Sequence, residues 1–174
     1  LQSGLMAYSV RHGGSQNVTP KVQGAIVVLN PKTGAIVALQ GGFDFQSSTF
    51  NRVLQAERQP GSSFKPFLYS AAFEKGYTLS TTVNDAPIMM RDSGENAWWR
   101  PENDTQEFYG PTRLRVALAQ SRNLVSIRLL RDIGVPYALD YIQRFGFDSQ
   151  ELPHTLSLAL GSGVVTPMQL TTGY

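Results

Sequence analysis

The sequence predicts an α/β domain of the α+β type, an antiparallel sheet flanked by helices. Gln23-Gly24-Ala25-Ile26-Val27-Val28-Leu29 and Ala35-Ile36-Val37-Ala38-Leu39 are β-rich runs separated by Asn30-Pro31-Lys32-Thr33-Gly34, which supplies the residues a hairpin turn needs. Both runs are nearly continuously apolar, which suggests that helices cover at least one face of their sheet. Helical periodicity appears from Ser62 to Lys75 and again after Gly110-Pro111-Thr112, and no internal repeat is visible.

In chain order, Leu1 to Arg11 alternates roughly through Leu5, Ala7 and Tyr8 and is expected to be a short strand. His12-Gly13-Gly14-Ser15-Gln16-Asn17 reads as a loop or splice point, so residues 1–21 form an N-terminal strand and linker ahead of the main domain at 22–174. The hairpin ends at Gly41-Gly42-Phe43, and a polar stretch leads to a helix from Ser62 to Lys75 with Gly76 as its left-handed stop. Phe64, Phe67, Leu68, Ala71 and Ala72 make its apolar face, and Tyr69 and Phe73 extend it. From Thr78 to Tyr109 the pattern loses period and is expected to be ordered irregular chain, the usual mark of a functional rim, with tryptophans that either line a groove or pack.

Gly110-Pro111-Thr112 then opens a helix through Leu114 and Leu118, with Thr112 as its cap. Ser121-Arg122-Asn123 interrupts it, after which Leu124, Ile127, Leu130 and Ile133 resume an apolar stripe that Gly134 ends. Pro136 and Gly146 bracket another helix, Leu156 to Leu160 form a short one, and Thr166-Pro167 start the last.

Composition narrows the function. A chain of 174 residues, 41% hydrophobic and 16% charged, can bury a sizeable core, and a net charge of +2 spread along it speaks against a nucleic-acid partner. The absence of cysteine excludes disulfides and thiolate metal sites. His12 and His154 lack metal-ligand spacing, so ordinary polar roles are expected and no cofactor is called for. No apolar run approaches a membrane span, and the end at Tyr174, inside a helix-like stretch, is expected to mark an excerpt of a longer protein.

The chemistry centres on Arg58-Gln59-Pro60-Gly61-Ser62-Ser63-Phe64-Lys65-Pro66. Pro66 is comfortable only in a first helical turn, which pins the helix start near Ser62 and places Ser62 and Lys65 at i, i+3, pointing the same way. A serine hydroxyl becomes nucleophilic when a neighbouring base takes its proton, and lysine serves only when neutral. Aromatic neighbours and the positive end of the helix dipole both disfavour the Lys65 ammonium. A capping serine and a snorkelling surface lysine fit the same spacing.

The order of hairpin, S-x-x-K helix and a helix broken by Ser121-Arg122-Asn123 resembles the penicillin-binding transpeptidases. The flanks of Ser62 and Lys65, Gly110-Pro111-Thr112-Arg113-Leu114-Arg115, Leu160-Gly161-Ser162 and Thr166-Pro167-Met168-Gln169-Leu170 are similar to the bifunctional class A members, from about Val22 to Tyr174. The resemblance implies a penicillin-recognising, β-lactamase-like serine transpeptidase fold, here without its final K-T-G strand and helix. Lys32-Thr33-Gly34 spells that motif but precedes the nucleophile and reads as a turn, and Ser15-Gln16-Asn17 spells S-x-N in a connector that no apolar helix precedes. An inserted domain near His12 to Asn17 is expected to be missing.

What the resemblance implies is D,D-transpeptidation of peptidoglycan stem peptides ending in D-Ala-D-Ala, supplied on a lipid-linked precursor, at the periplasmic or extracytoplasmic face of the bacterial membrane. Ser62 is the expected nucleophile, Lys65 its base, Ser121 the relay to the leaving amine and Asn123 the holder of substrate and Lys65. β-Lactams are expected to acylate Ser62. The parent is expected to carry a membrane anchor and a glycosyltransferase domain, with another segment or a second chain completing this one. A β-lactam-sensing domain, acylated without turnover, is the alternative.

Overall fold

The computed structural model describes residues 1–14, 22–91 and 98–174. They fall into two units, Leu1–Arg58 with Val165–Tyr174, and Gln59–Val164.

The first unit opens with a helix, α1 (Gln2–Arg11), and not the expected strand. Gln2, Leu5, Met6, Ala7 and Arg11, half of its residues, are types that lose little rotamer freedom in a helix, and their local preference overrides a weak alternation. Leu1 and Leu5, one turn apart, place their methyl carbons within 3.4 Å of where a Cβ on Gly24 would lie. Tyr8 and His12 stack at 4.1 Å, and His12 Nδ1 hydrogen-bonds the Tyr8 carbonyl. The linker at 15–21, with Ser15-Gln16-Asn17, lies outside the described residues.

The apolar runs pair as an antiparallel hairpin, β1 (Ile26–Leu29) with β2 (Ile36–Gln40), in the register Ile26 to Gln40 and Val28 to Ala38. Asn30 organises the turn: its carbonyl accepts from the Gly34 amide at 2.8 Å and its side chain from the Lys32 amide at 2.9 Å. Gly34 has φ +69°, so Lys32-Thr33-Gly34 is an exposed turn, as expected. Helical cover is thinner than the sequence suggests: β1 alternates between exposed and half-buried beside the closing helix Pro167–Gly173, while every residue of β2 is exposed. Thr166 and Gln169 form a reciprocal capping box at the start of that helix, and a short helix, α2 (Arg52–Gln55), follows β2 in the chain with the Asn51 side chain accepting from the Val53 amide at its start.

In the second unit the segment carrying Ser62 starts as a 3-10 turn, Gly61–Phe64, before α3 (Lys65–Glu74), so the regular helix begins later than the sequence reading has it. Pro66 explains the junction, since it can sit only where helical amide partners are not yet required. α3 is buried on most sides: Phe67, Leu68, Tyr69, Ala71 and Ala72 are inaccessible or nearly so. Phe64 and Phe67 meet Phe147 at ring separations of 5.3 and 5.0 Å. Each such buried ring contributes about 1.5–3 kcal/mol through its apolar area. Gly76 takes the expected left-handed stop at φ +97°.

The supposedly irregular chain holds strands. β3 (Thr82–Asp85), β4 (Met90–Arg91) and β5 (Trp98–Trp99) lie within it, and β4 pairs with β5. β3 pairs with β6 (Gly110–Arg113), so Gly110-Pro111-Thr112 is strand and not helix start, and Thr112 is not a cap. Its hydroxyl donates to the Gly110 carbonyl instead. The cause is a ladder between distant segments, which leaves no local periodicity to read. Trp99 lines a cavity of about 300 Å³ with Met90, His154 and Leu156, while Trp98 is mostly exposed under Arg91.

The helices after β6 follow expectation. α4 (Leu114–Ala119) is interrupted, α5 (Asn123–Ile133) buries Leu124, Ile127, Leu130 and Ile133, and α6 (Val135–Ile142) carries Pro136 in its first turn. Lys75, just past α3, donates to the Ile133 carbonyl at 2.6 Å and satisfies an orphan acceptor at the end of α5.

Candidate active site

The second unit brings Ser62, Lys65, Ser121 and Asn123 together. Lys65 is 1% exposed, and its Nζ donates to the Ser121 carbonyl at 2.7 Å, the Ser121 hydroxyl at 2.9 Å and Asn123 Oδ1 at 2.7 Å. The Ser121 hydroxyl in turn hydrogen-bonds Ser62 Oγ at 2.8 Å. The order is therefore Ser62, Ser121, Lys65, with Ser121 standing between the nucleophile candidate and the amine. The sequence reading has Lys65 take the proton of Ser62, and the i, i+3 spacing leaves Ser121 out of that path.

Burial pulls the Lys65 ammonium down from 10.5 to about 8, against the opposing charge of Asp104. The partner set suits both charge states. Two partners, the Ser121 carbonyl and Asn123 Oδ1, can only accept, which occupies both N–H groups of a neutral amine. The third is a hydroxyl, which accepts from an ammonium or, after rotating, donates to the lone pair of the neutral form. Losing the proton leaves no hydrogen bond of Lys65 broken.

The position of Ser121 has a backbone cause. The Arg122 amide reaches the Ala117 carbonyl at 2.8 Å and the Ser121 amide the Leu118 carbonyl at 3.1 Å, the paired bonds of a Schellman ending to α4. The residue at the turning point of that ending is ordinarily glycine, yet here it is Ser121, at φ 54°. A left-handed non-glycine residue costs on the order of 1–2 kcal/mol, and such strain gathers at functional sites. Because the turn is this tight, the carbonyl and hydroxyl of the same residue both face Lys65.

Ser62 is exposed, one residue beyond Gly61 at φ +57°. A Cβ on Gly161, itself at φ +67°, would fall within 2.7 Å of the Gly61 carbonyl carbon, and the Gly61 amide donates to the Gly161 carbonyl. Only glycine permits this approach, so Gly161 seats the turn that carries Ser62.

Sequence reasoning missed Asn103, Asp85, Asp104 and the seating role of Gly161. The signal for the first three was present only as ordered chain without period. Asn123 donates through Nδ2 to the Glu102 carbonyl and Asp104 Oδ1, and its own amide donates to Asn103 Oδ1. Among the described residues no group of three or more His, Cys, Asp or Glu is placed to hold a metal, and no helix is long and apolar enough to cross a membrane.

Known proteins share this arrangement of sequence and fold. Residues 24–170 match the family model described as penicillin binding protein transpeptidase domain. Penicillin-binding protein 1A of Neisseria meningitidis is 56% identical over the whole chain, which covers 22% of that protein. Penicillin-binding protein 1A of Escherichia coli is 52% identical over 89% of this chain and 18% of its own length. The chain thus spans about a fifth of the length of these relatives. The crystal structure of penicillin-binding protein 1A from Haemophilus influenzae superimposes on 88% of the chain, and on 23% of its own, with a TM-score of 0.84 and 42% identity. PonA1 of Mycobacterium tuberculosis in complex with penicillin V, at 23% identity and a TM-score of 0.73 over 97% of this chain and 45% of its own, has the same fold. With its family model spanning both units and relatives more than half identical, the chain belongs to the penicillin-binding protein transpeptidase domain family.

Proposed function

We propose that this chain carries the acylating half of a D,D-transpeptidase site, acting on peptidoglycan stem peptides that end in D-Ala-D-Ala. The observation that carries the reading is the continuous line from Ser62 Oγ through Ser121 Oγ to Lys65 Nζ. Ser62 Oγ forms a bond to the penultimate D-Ala carbonyl carbon. Its proton passes to Ser121 Oγ while the Ser121 proton passes to neutral Lys65. The carbon–nitrogen bond then breaks as the Ser121 hydroxyl gives its proton to the departing D-Ala amine and takes one back from the Lys65 ammonium, which leaves Lys65 neutral again. An amine from a neighbouring stem attacks the acyl-serine, its proton passes through Lys65 and Ser121 to Ser62 Oγ as the ester bond breaks, and the crosslink forms with Ser62 a hydroxyl as it began.

Asn123 holds Lys65 through Oδ1, and in this reading the Nδ2 hydrogen that now goes to Asp104 Oδ1 at 3.2 Å is given up to the carbonyl oxygen of a substrate amide. The Ser62 backbone amide, in the 3-10 turn, supplies one oxyanion donor, a contribution typically of about 10²–10³ in rate. β-Lactams acylate the same serine, a reading supported by neighbours of this fold solved with penicillin V and as an imipenem acyl-enzyme. The family supports action on the cell-wall side of the cytoplasmic membrane.

A fluorescent penicillin applied to the full-length protein tests the reading. Label is expected on Ser62 and none on a Ser62→Ala variant; equal labelling of both removes Ser62 from the mechanism. Crosslinked product from lipid-linked substrate then separates a transpeptidase from a β-lactam sensor, which makes none.

A further inference from the structure

The Ser121–Asn123 turn is gripped from outside its own helices. Arg122, the residue at the N-cap of α5, offers no side-chain cap, and Asn103 takes over that role from the 102–109 loop. Asn103 Oδ1 accepts from the Asn123 amide at 2.9 Å and the Leu124 amide at 3.3 Å. Backbone amides only donate, so the side-chain oxygen must be the atom that faces them. Its amide nitrogen then points away, to both carboxylate oxygens of Asp85 at 2.8 and 3.0 Å and to the Glu107 carbonyl at 2.9 Å. Asp85 is 0% and Asn103 3% exposed. A buried carboxylate accepts and cannot donate, which fixes the Asn103 amide in this one orientation. The same loop holds Arg122, whose guanidinium lies 3.5 Å from the centre of the Tyr109 ring and donates to Thr105 Oγ1.

We propose that Asn103, oriented by Asp85, is a positioning residue that fixes the turn bearing Ser121 and Asn123 against Lys65. Without it the left-handed Ser121 has reason to relax, because among the described residues it is Asn103 that accepts from the Asn123 and Leu124 amides, and strained backbone persists where surrounding contacts hold it. A shift of about 1 Å in reacting groups is enough to lose on the order of 10²-fold in rate. The proposal rests on the reading of Ser62 as nucleophile and goes beyond it to residues outside both sequence motifs.

The test is pre-steady-state acylation of the full-length protein by a fluorescent penicillin, with the limiting rate resolved from the apparent dissociation constant. The rate constant does not depend on how much protein is folded; the labelled amplitude reports that separately. Asn103→Ala and Asp85→Leu, which removes both acceptor oxygens, are each expected to lower the limiting rate by about tenfold to a hundredfold, leaving the dissociation constant within about twofold. The conservative Asp85→Asn keeps a side-chain oxygen that can accept from Asn103 Nδ2, so it is expected to retain most of the rate that Asp85→Leu loses.

Unchanged rate constants in Asp85→Leu and in whatever fraction of Asn103→Ala folds would overturn the proposal, as would loss of amplitude alone. A loss in Asp85→Asn as large as that in Asp85→Leu would overturn the role given to Asp85 as the acceptor that orients Asn103. A Ser62→Ala control run alongside separates this from failure of the functional reading: persistent label there sinks the nucleophile, whereas abolished label with normal Asn103 variants sinks only the positioning role.

Discussion

The charge on Lys65 offers a quantitative handle through Asp104. At pH 7 an amine with a pKa of about 8 is neutral in roughly one molecule in eleven, against roughly one in three thousand at the ordinary value of 10.5. Burial has thus raised the neutral fraction about 300-fold, and Asp104 opposes it. Asp104→Asn removes that opposing charge while its side-chain carbonyl can still accept from Asn123 Nδ2, now at 3.2 Å from Asp104 Oδ1. The acylation rate constant of the wild-type protein should climb with pH through a midpoint near 8, and the variant's midpoint should lie lower. At pH 7 the variant should acylate faster, by at most about tenfold because the neutral fraction cannot exceed one. Above the wild-type midpoint the curves should converge. Asp104 is exposed, so the difference should shrink as salt rises. Stopped-flow acylation between pH 6 and 9 at low and high salt reads all of this. A midpoint that rises in the variant, or a flat wild-type profile, refutes the argument that a neutral Lys65 is the base.

The same amine sets a stability slope. Its folded pKa lies below its unfolded one, so between about pH 8 and 10.5 the unfolded chain binds the extra proton and unfolding free energy rises with pH, by up to about 3 kcal/mol. Denaturant titrations of wild type minus Lys65→Met, taken across that window, should show the slope, and no difference would show that Lys65 is not buried. Ser121→Ala and Ser121→Gly should both lower acylation by about 10²–10⁴, as expected for loss of a proton-transfer group. Glycine should be at least as stable as alanine there, reversing its usual deficit of about 0.5–1 kcal/mol, because only glycine takes φ 54° without strain. Gly161→Ala should lower the melting temperature and the acylation rate together, since its methyl collides with the Gly61 backbone; wild-type rates would show that this seat does not position Ser62. Tyr69→Phe, deleting a buried hydroxyl 3.2 Å from Ser126, should cost about 1 kcal/mol by denaturant midpoint with acylation retained.

Much of the second unit is legible residue by residue because its signals are local. Pro66, Gly76, Gly134, Pro136 and Gly146 punctuate the helices through backbone freedom alone, and the break at Ser121-Arg122-Asn123 falls where the apolar stripe is interrupted. Local reasoning fails where partners are distant. Gly110–Arg113 looks like a helix opening until it meets Thr82–Asp85. The miss at Leu1–Arg11 has a different cause, a weak alternation weighed above residue types that locally favour a helix.

The division runs through the site as well. By its own order of residues the chain determined that a serine and a lysine share one turn, that aromatic neighbours disfavour the ammonium, and that a serine–asparagine pair follows a broken helix. Only the folded backbone decided that Ser121 stands between Ser62 and Lys65, that its turn is left-handed, and that Asn103 and Asp85 brace it. Spacing in sequence specifies direction along one helix, whereas the route of a proton depends on hydrogen-bond distances between segments that only packing brings within reach.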